Sequence, residues 1–391
     1  MTDTMPTPTE HAPANMPSQP IDQEFVTTRV EEKIAVATQW QLMWWRFRKH
    51  QLAMAGGIVL ILFYVIVLAA DFLAYVNPDA SEAQRSLMTP QPIHWMDNGK
   101  FSPHVYAITG SRDPNTFKRV YVPNPDIKVP IRFFAKGFEY KLLGFIPSNI
   151  HLIGVEGAQA GETLFLMGTD MQGRDLWSRL MYGTRTSLMI GLVSVALSLV
   201  LGVVLGGVSG YYGGMIDTVI QRIIEILRSV PTIPLWMGLA AALPGSWTIN
   251  QVYFAITIII SLLGWTELAR VVRGRFLSLR EEDFVVAARL AGCGRMRIIF
   301  RHMVPSFLSH IIAATTLALP AMIISETSLS FLGLGLRPPA ISWGVLLQDA
   351  QNIQSLAISP WLLLPSIPVI VAVLAFNFVG DGLRDAADPY G

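Results

Sequence analysis

The chain has 391 residues, 52% of them hydrophobic and only 15% charged, against about 25% charged in an average soluble domain. Its 29 Lys and Arg nearly cancel 28 Asp and Glu, for a net charge of +1, which excludes a strongly basic nucleic-acid binder and an acidic disordered chain. With a mean hydropathy of +0.44 and one cysteine, Cys293, it reads as an all-α polytopic membrane protein without a disulfide framework or a cysteine-based metal site.

Residues 1–38 hold five prolines and little apolar periodicity, and are expected to form a disordered cytoplasmic tail. The acidic start, with Asp3 and Glu10, lacks the apolar core of a signal peptide, so the first apolar stretch stays as an anchor. Long uncharged stretches then mark membrane crossings, each needing about 20 predominantly apolar residues. They predict six, over roughly 52–75, 186–209, 223–243, 250–268, 307–333 and 361–380. Pro244-Gly245-Ser246 is a turn signal between the third and fourth. Pro365 and Pro368 are expected to bend the sixth.

Loop charge sets the orientation. Residues 267–302 carry eight arginines, from Arg270 to Arg301, and Arg46, Arg48 and Lys49 precede the first span. Loops 244–250 and 336–360 carry one basic residue between them, Arg337. The positive-inside rule therefore predicts both termini and the 267–302 loop in the cytoplasm, with 78–185 outside.

The outside segment has β-like runs at Arg119–Val122, Val129–Phe134 and Tyr140–Leu143, punctuated by prolines, and predicts a small β-rich subdomain. Gly168-Thr169-Asp170 reads as a helix start capped by Thr169 or Asp170. The helix that follows, roughly 171–183, is expected to lie near the outer membrane surface. Gly202, Gly206 and Gly210 form small-xxx-small patterns, which let helix backbones approach closely.

The stretch 281–305 reads EEDFVVAARLAGCGRMRIIFRHMVP. Its first part, 283–291, predicts a short helix capped by Asp283 and ended by Gly292. Ala287, Ala288 and Ala291 give that helix a small-residue surface, suited to docking a soluble partner. A charged cytoplasmic linker would carry the same composition.

Val286-Ala287-Ala288-x3-Gly292-x9-His302-x-Val304-Pro305 resembles the Glu-Ala-Ala loop of bacterial ATP-binding-cassette importer permeases. It departs from that pattern at Val286, where Glu is usual, and at His302, where Ile is usual. Several further blocks resemble the oligopeptide/dipeptide/nickel branch of that family. They are Leu42–Pro78, Gly168–Arg179, Gly210–Gly214, Ser328–Gly335 and Gly380–Asp385 with Asp388-Pro389. Residues 79–165 are poorly covered, and many relatives have a much shorter loop there.

The resemblance implies a multi-pass subunit of the bacterial inner membrane with the type I, MetI-like permease core. It implies a membrane-proximal segment and first span over 39–77, an insertion over 78–167 and the core over 168–391. It also implies a second related permease, two separate ATPase subunits and an extracytoplasmic solute-binding protein. No G-x4-G-K-[ST] loop is present in the sequence, so ATP and magnesium are expected on the partner and no cofactor in this chain. The docking surface is expected to comprise Phe284, Val286, Ala287, Ala288 and Gly292, with Pro305 closing the motif and Arg289 and Arg295 making charge contacts. The cargo implied is an oligopeptide or dipeptide, with oligosaccharide or nickel as alternatives.

Glu326 falls in the fifth span, and an intramembrane carboxylate points by default to a functional site. Ser325, Glu326 and Asn377 are therefore candidates for the translocation path, although a paired Glu locking two helices would look the same. Glu225 with Arg228, and Glu267 with Arg270, are further candidate pairs. Two rival readings exist. Gly207-Val208-Ser209-Gly210 with His310 fits a rhomboid-like intramembrane serine protease, but Ser209 ends a span and does not begin one. A secondary transporter would carry an inverted repeat, which is not evident.

Overall fold

The computed structural model describes residues 38–97, 99–112, 114, 119–155 and 164–387, so nearly all of the expected tail lies outside the described residues. The chain divides into two units, 1–42 and 43–391. Only residues 38–42 of the first are described, and they begin the helix α1 (Gln39–Lys49).

α2 (Gln51–Leu73) is the first long apolar helix, and His50 caps it by accepting from the Ala53 amide. It is followed by five antiparallel strands: β1 (His94–Asp97), β2 (Lys100–Arg112), β3 (Arg119–Pro130), β4 (Arg132–Leu142) and β5 (Ile146–Gly154). The first three form a sheet in the order β1-β2-β3, and β4 pairs with β5 as a separate hairpin. Ala135 stands opposite His151 and Leu142 opposite Ile146. The expected β-rich insertion is present. Its sequence runs mark only parts of β3 and β4, and Ile131 separates these two strands where the run 129–134 reads as one.

α3 (Leu176–Tyr212) has 37 residues. Residues 176–183 of the expected surface helix and the second span are thus one continuous rod. Neither Thr169 nor Asp170 caps it. Asp175 does, accepting from the Ser178 amide at 2.7 Å.

The third span is not one straight helix. α4 (Gly214–Ser229) and α5 (Thr232–Ala241) meet at 87°. Val230 precedes Pro231 and is extended (φ −88°, ψ 133°). Clash with the proline ring drives the preceding residue out of helical backbone, which breaks the span here.

α6 (Ile249–Leu279) starts in a capping box of Thr248 and Gln251 and runs on past the expected end at 268. α7 (Asp283–Leu290) is the predicted short helix. A π-helical stretch, Ile298–Met303, leads to α8 (Leu308–Phe331). Short helices α9 (Trp343–Gln348) and α10 (Ile353–Ile358) precede α11 (Ser366–Ala387). The expected sixth span is interrupted at Pro365, between a 3₁₀ turn (Pro360–Leu363) and this last helix. Pro365 precedes it and Pro368 lies in its first turn, where no amide is required. Among the described residues, five helices are long and apolar enough to cross a membrane, and the α4–α5 pair makes up to six.

The glycine stripe of α3 packs on α6. A methyl on Gly206 would come within 2.5 Å of the Ala269 carbonyl oxygen, and one on Gly210 within 2.8 Å of that of Arg273. α2 approaches α11 the same way, with Gly56 against the Ala375 carbonyl. In lipid there is no hydrophobic drive between helices, so such close packing is what holds them together. The main core includes Trp343, Phe376, Ile260, Leu188 and Phe63. A second one, of Phe276, Val285, Ala288, Ile298, Ile299 and Phe307 among others, lies at the arginine-rich end.

Candidate functional site

α7 sits on that second core. Val285 and Ala288, three residues apart, face inward against residues from α6, the π-helical stretch and α8. Ala288 was expected on the docking surface, and the structure corrects this: it is 9% exposed and serves to seat the helix. Phe284, Val286, Ala287, Arg289 and Leu290 face outward. Leu290 is 84% exposed and was not singled out in the sequence. The signal for it is helical spacing, since it lies four residues after Val286 and three after Ala287.

Gly292 holds φ +73° and ends α7. Its amide donates to the Arg289 carbonyl at 3.0 Å, while that of Cys293 donates to the Ala288 carbonyl at 3.1 Å. This double bond pattern satisfies the last carbonyls of a helix and needs a left-handed residue, which glycine supplies without strain. Asp283 is the first helical residue and not the cap, which is Glu282. Pro305 lies in the short turn Val304–Ser306 ahead of α8.

Beside α7 is a hollow of about 480 Å³ lined by Tyr211, Tyr212, Arg280, Arg289 and Arg295, with Glu281 as its carboxylate. The Arg295 guanidinium lies 5.2 Å over the Tyr212 ring. Three arginines against one glutamate leave this hollow net positive. It suits an acidic group.

Ser209, at the end of α3, donates to Asp217 of α4 at 2.5 Å. Arg273 of α6 donates to both oxygens of the same carboxylate, at 2.5 and 2.6 Å. The serine of the protease-like motif is thus bound to an acid, within an ion-pair cluster that joins three helices.

A cavity of about 550 Å³ opens between α4, α5, α6 and α8. One face of α8, with Ala314, Ala318, Ala321 and Ser325, lines it. Arg228 and Glu267 also border it, and they form an ion pair with each other. Glu267 therefore does not take the predicted partner Arg270, and Glu225 pairs with Arg222 at 2.6 Å instead of Arg228.

Of the three path candidates, Ser325 lines this cavity, while Glu326 and Asn377 are not among its lining residues. Glu326 is wholly buried and turned toward α3. Ser187 and Ser330 each donate to its carboxylate at 2.9 Å. Ser187 in turn accepts from the Trp343 amide at 3.0 Å. The carboxylate thus joins α3, α8 and α9, which is the helix-locking role and corrects the expectation that it faces the path.

At the opposite end, the Gly168–Arg179 block folds into a knot of buried polar groups. The Asp170 carboxylate accepts from the Arg174 side chain at 2.6 Å, and the Arg179 Nε lies 3.5 Å away. Arg179 also donates to the Pro78 carbonyl at 3.0 Å. Tyr75 donates to Asp175 at 3.1 Å. Burial pushes the Asp175 carboxyl up to about 6. Burial, with Asp170 nearby, also raises that of Asp349.

Comparison with known proteins bears on both ends of the molecule. The profile of the "N-terminal TM domain of oligopeptide transport permease C" matches residues 38–91. That of the "binding-protein-dependent transport system inner membrane component" matches 198–390. The oligopeptide transport system permease protein OppC of Salmonella typhimurium is 46% identical over 223 residues, 57% of this chain and 71% of that protein.

The chain belongs to the binding-protein-dependent transport system inner-membrane component family. Within this family, a Brucella suis protein named as a peptide permease is 38% identical over 304 residues, 76% of this chain and 97% of its own length. Among solved structures, an inward-facing form of the methionine ABC transporter MetNI is similar over 53% of this chain and 95% of that one, with 19% identity and a TM-score of 0.40. As a family member the chain is a multi-pass inner-membrane permease subunit of an ABC importer, working with an ATPase and a binding protein. The five strands lie in the interval 92–197 that neither profile matches.

Proposed function

We propose that this permease subunit moves peptides, received from an extracytoplasmic binding protein, by alternating access. A second related permease would complete the pathway, and two separate ATPase subunits would supply the energy. The arginine-rich end and both termini would then face the cytoplasm, in line with the charge bias of the loops. The peptide cargo is proposed from the relatives' names, oligopeptide permease and peptide permease.

The observation that carries the reading is the seat of α7. A short helix held by Val285 and Ala288 on a buried core cannot move independently of α6 and α8. Its outer face, with Phe284, Val286, Ala287 and Leu290, is left free beside the basic hollow of Arg289 and Arg295. Such a surface transmits force from a soluble partner to two spans at once. An acidic side chain of the ATPase subunit would enter the hollow, and the chain itself would hydrolyse nothing.

The test is uptake of a labelled peptide by cells carrying the chain with its candidate partner subunits. Uptake lost on deleting the chain, and again in Leu290→Arg with the permease still in the membrane, is the expected result. Uptake undiminished in the deletion strain would remove the proposal.

A further inference from the structure

β4 departs from regular strand alternation at Phe134, which holds φ +56°. Bulky side chains avoid this left-handed backbone, so an outlier of this kind motivates a search for function. Two successive phenylalanines are exposed here, Phe133 at 55% and Phe134 at 65%, before the buried Ala135. A water-facing strand gains nothing from strain that exposes two aromatic rings.

Their place on the molecule indicates what covers them. On α2, the exposed apolar residues Ile58, Ile61, Leu62, Val65 and Leu68 follow one another at helical spacing. In a membrane helix this is the lipid-facing stripe. The next residue on the stripe, four after Leu68, is Phe72. Its ring lies 6.1 Å from that of Phe134. The hairpin is pinned to the same helix end, for the His151 Nδ1 lies 3.2 Å from the Asp71 carbonyl oxygen. Phe134 therefore extends the lipid-facing stripe past the last turn of α2. Lys136, exposed two residues further on, offers an ammonium suited to a headgroup phosphate.

We infer that Phe133 and Phe134 form an interfacial foot, resting in the bilayer surface on the sheet-bearing side with phospholipid as its occupant. Aromatic side chains favour this depth, where ring and headgroup region meet. The foot would hold the hairpin, which has only two strands and would be marginal alone in water, against the membrane.

The test is photo-crosslinking of the full chain in vesicles of phosphatidylethanolamine and phosphatidylglycerol, with p-benzoylphenylalanine at position 134. The control carries it at Val122, which is exposed on β3 of the other sheet. Phospholipid adducts several-fold more abundant at 134 than at 122, identified by mass spectrometry, are expected. Adduct yields no higher at 134 than at 122 would overturn the inference. So would adducts at 134 predominantly to protein when the assembled transporter is irradiated. A second measurement, with the probe at 133, guards against a local folding defect at 134. Lipid adducts absent at both positions count against the foot. None of these outcomes bears on peptide uptake.

Discussion

Asp217 and Arg273 meet through two parallel hydrogen bonds, at 2.5 and 2.6 Å, and Ser209 adds a third to the same carboxylate. The pair joins the start of α4 to the last part of α6, about two turns before the segment that leads into α7. Fork-to-carboxylate pairing of this kind fixes direction as well as distance. Asp217→Asn keeps the size but halves the pairing, and is expected to cost about 1–2 kcal/mol, since the pair is partly solvated. Transport should fall more than membrane abundance. The check is uptake normalised to permease level. A fall in abundance alone would make the pair merely structural.

The two faces of α7 predict opposite outcomes. Ala288→Trp forces a large ring into a packed core and is expected to destabilise by about 1–3 kcal/mol or more. Ala287→Trp and Leu290→Arg alter only the outward face. They should leave thermal stability in detergent nearly unchanged while reducing co-purification of the ATPase subunit. Equal loss of stability in all three variants would contradict the assigned orientation of the helix.

Glu326 serves as a hydrogen-bond acceptor for two serines. Glu326→Gln retains one amide oxygen and is expected to preserve uptake. Glu326→Ala strands the Ser187 and Ser330 hydroxyls and should cost about 2–3 kcal/mol. Peptide uptake and unfolding temperature of the two variants check this. If Gln abolished uptake without loss of stability, the negative charge itself would be in use.

Asp175 predicts a pH dependence. Its carboxyl is raised by burial from 3.8 to about 6 in the folded chain. The folded state thus binds a proton more tightly than the unfolded state. Its stabilisation is full below about pH 4 and is lost as pH rises toward 6, by an amount of order 3 kcal/mol. Asp175→Asn can still cap α3 but cannot titrate. Unfolding of the two proteins between pH 4 and 7 should show the wild type losing stability relative to Asn as pH rises. Parallel curves would contradict this.

Much of this was legible in the sequence. Uncharged stretches marked the spans because charge is costly in lipid, and glycine spacing marked the α3–α6 seam because only a missing side chain lets backbones touch. Less legible were features decided by tertiary partners. Nothing local tells that 176–183 fuses with the second span, because the stop that would separate them is only a weak signal. The bend at Pro231 was missed although a proline marked it, since membrane helices often tolerate proline. Ala288 and Ala287 are identical letters, and only the position of the core shows which one faces it. Glu225 has an arginine three residues away on either side, Arg222 and Arg228, so spacing alone does not choose between them, and Glu267 and Glu326 bond to Arg228 and Ser187 on other helices, which spacing does not rank at all.

The length of α3 has a mechanical meaning. Thirty-seven residues make a rod of about 55 Å, nearly twice the hydrocarbon thickness of a bilayer. Its first turn is clamped in the buried polar knot around Asp170, and its last turn carries Ser209, bonded to Asp217. Such a rod acts as a lever, and a tilt of about 10° would carry one end through about 10 Å relative to the other. A push on the sheet-bearing side can then reach the Asp217–Arg273 clasp without any relay of rotamer changes between them. Stiffness, in this geometry, is what carries the message.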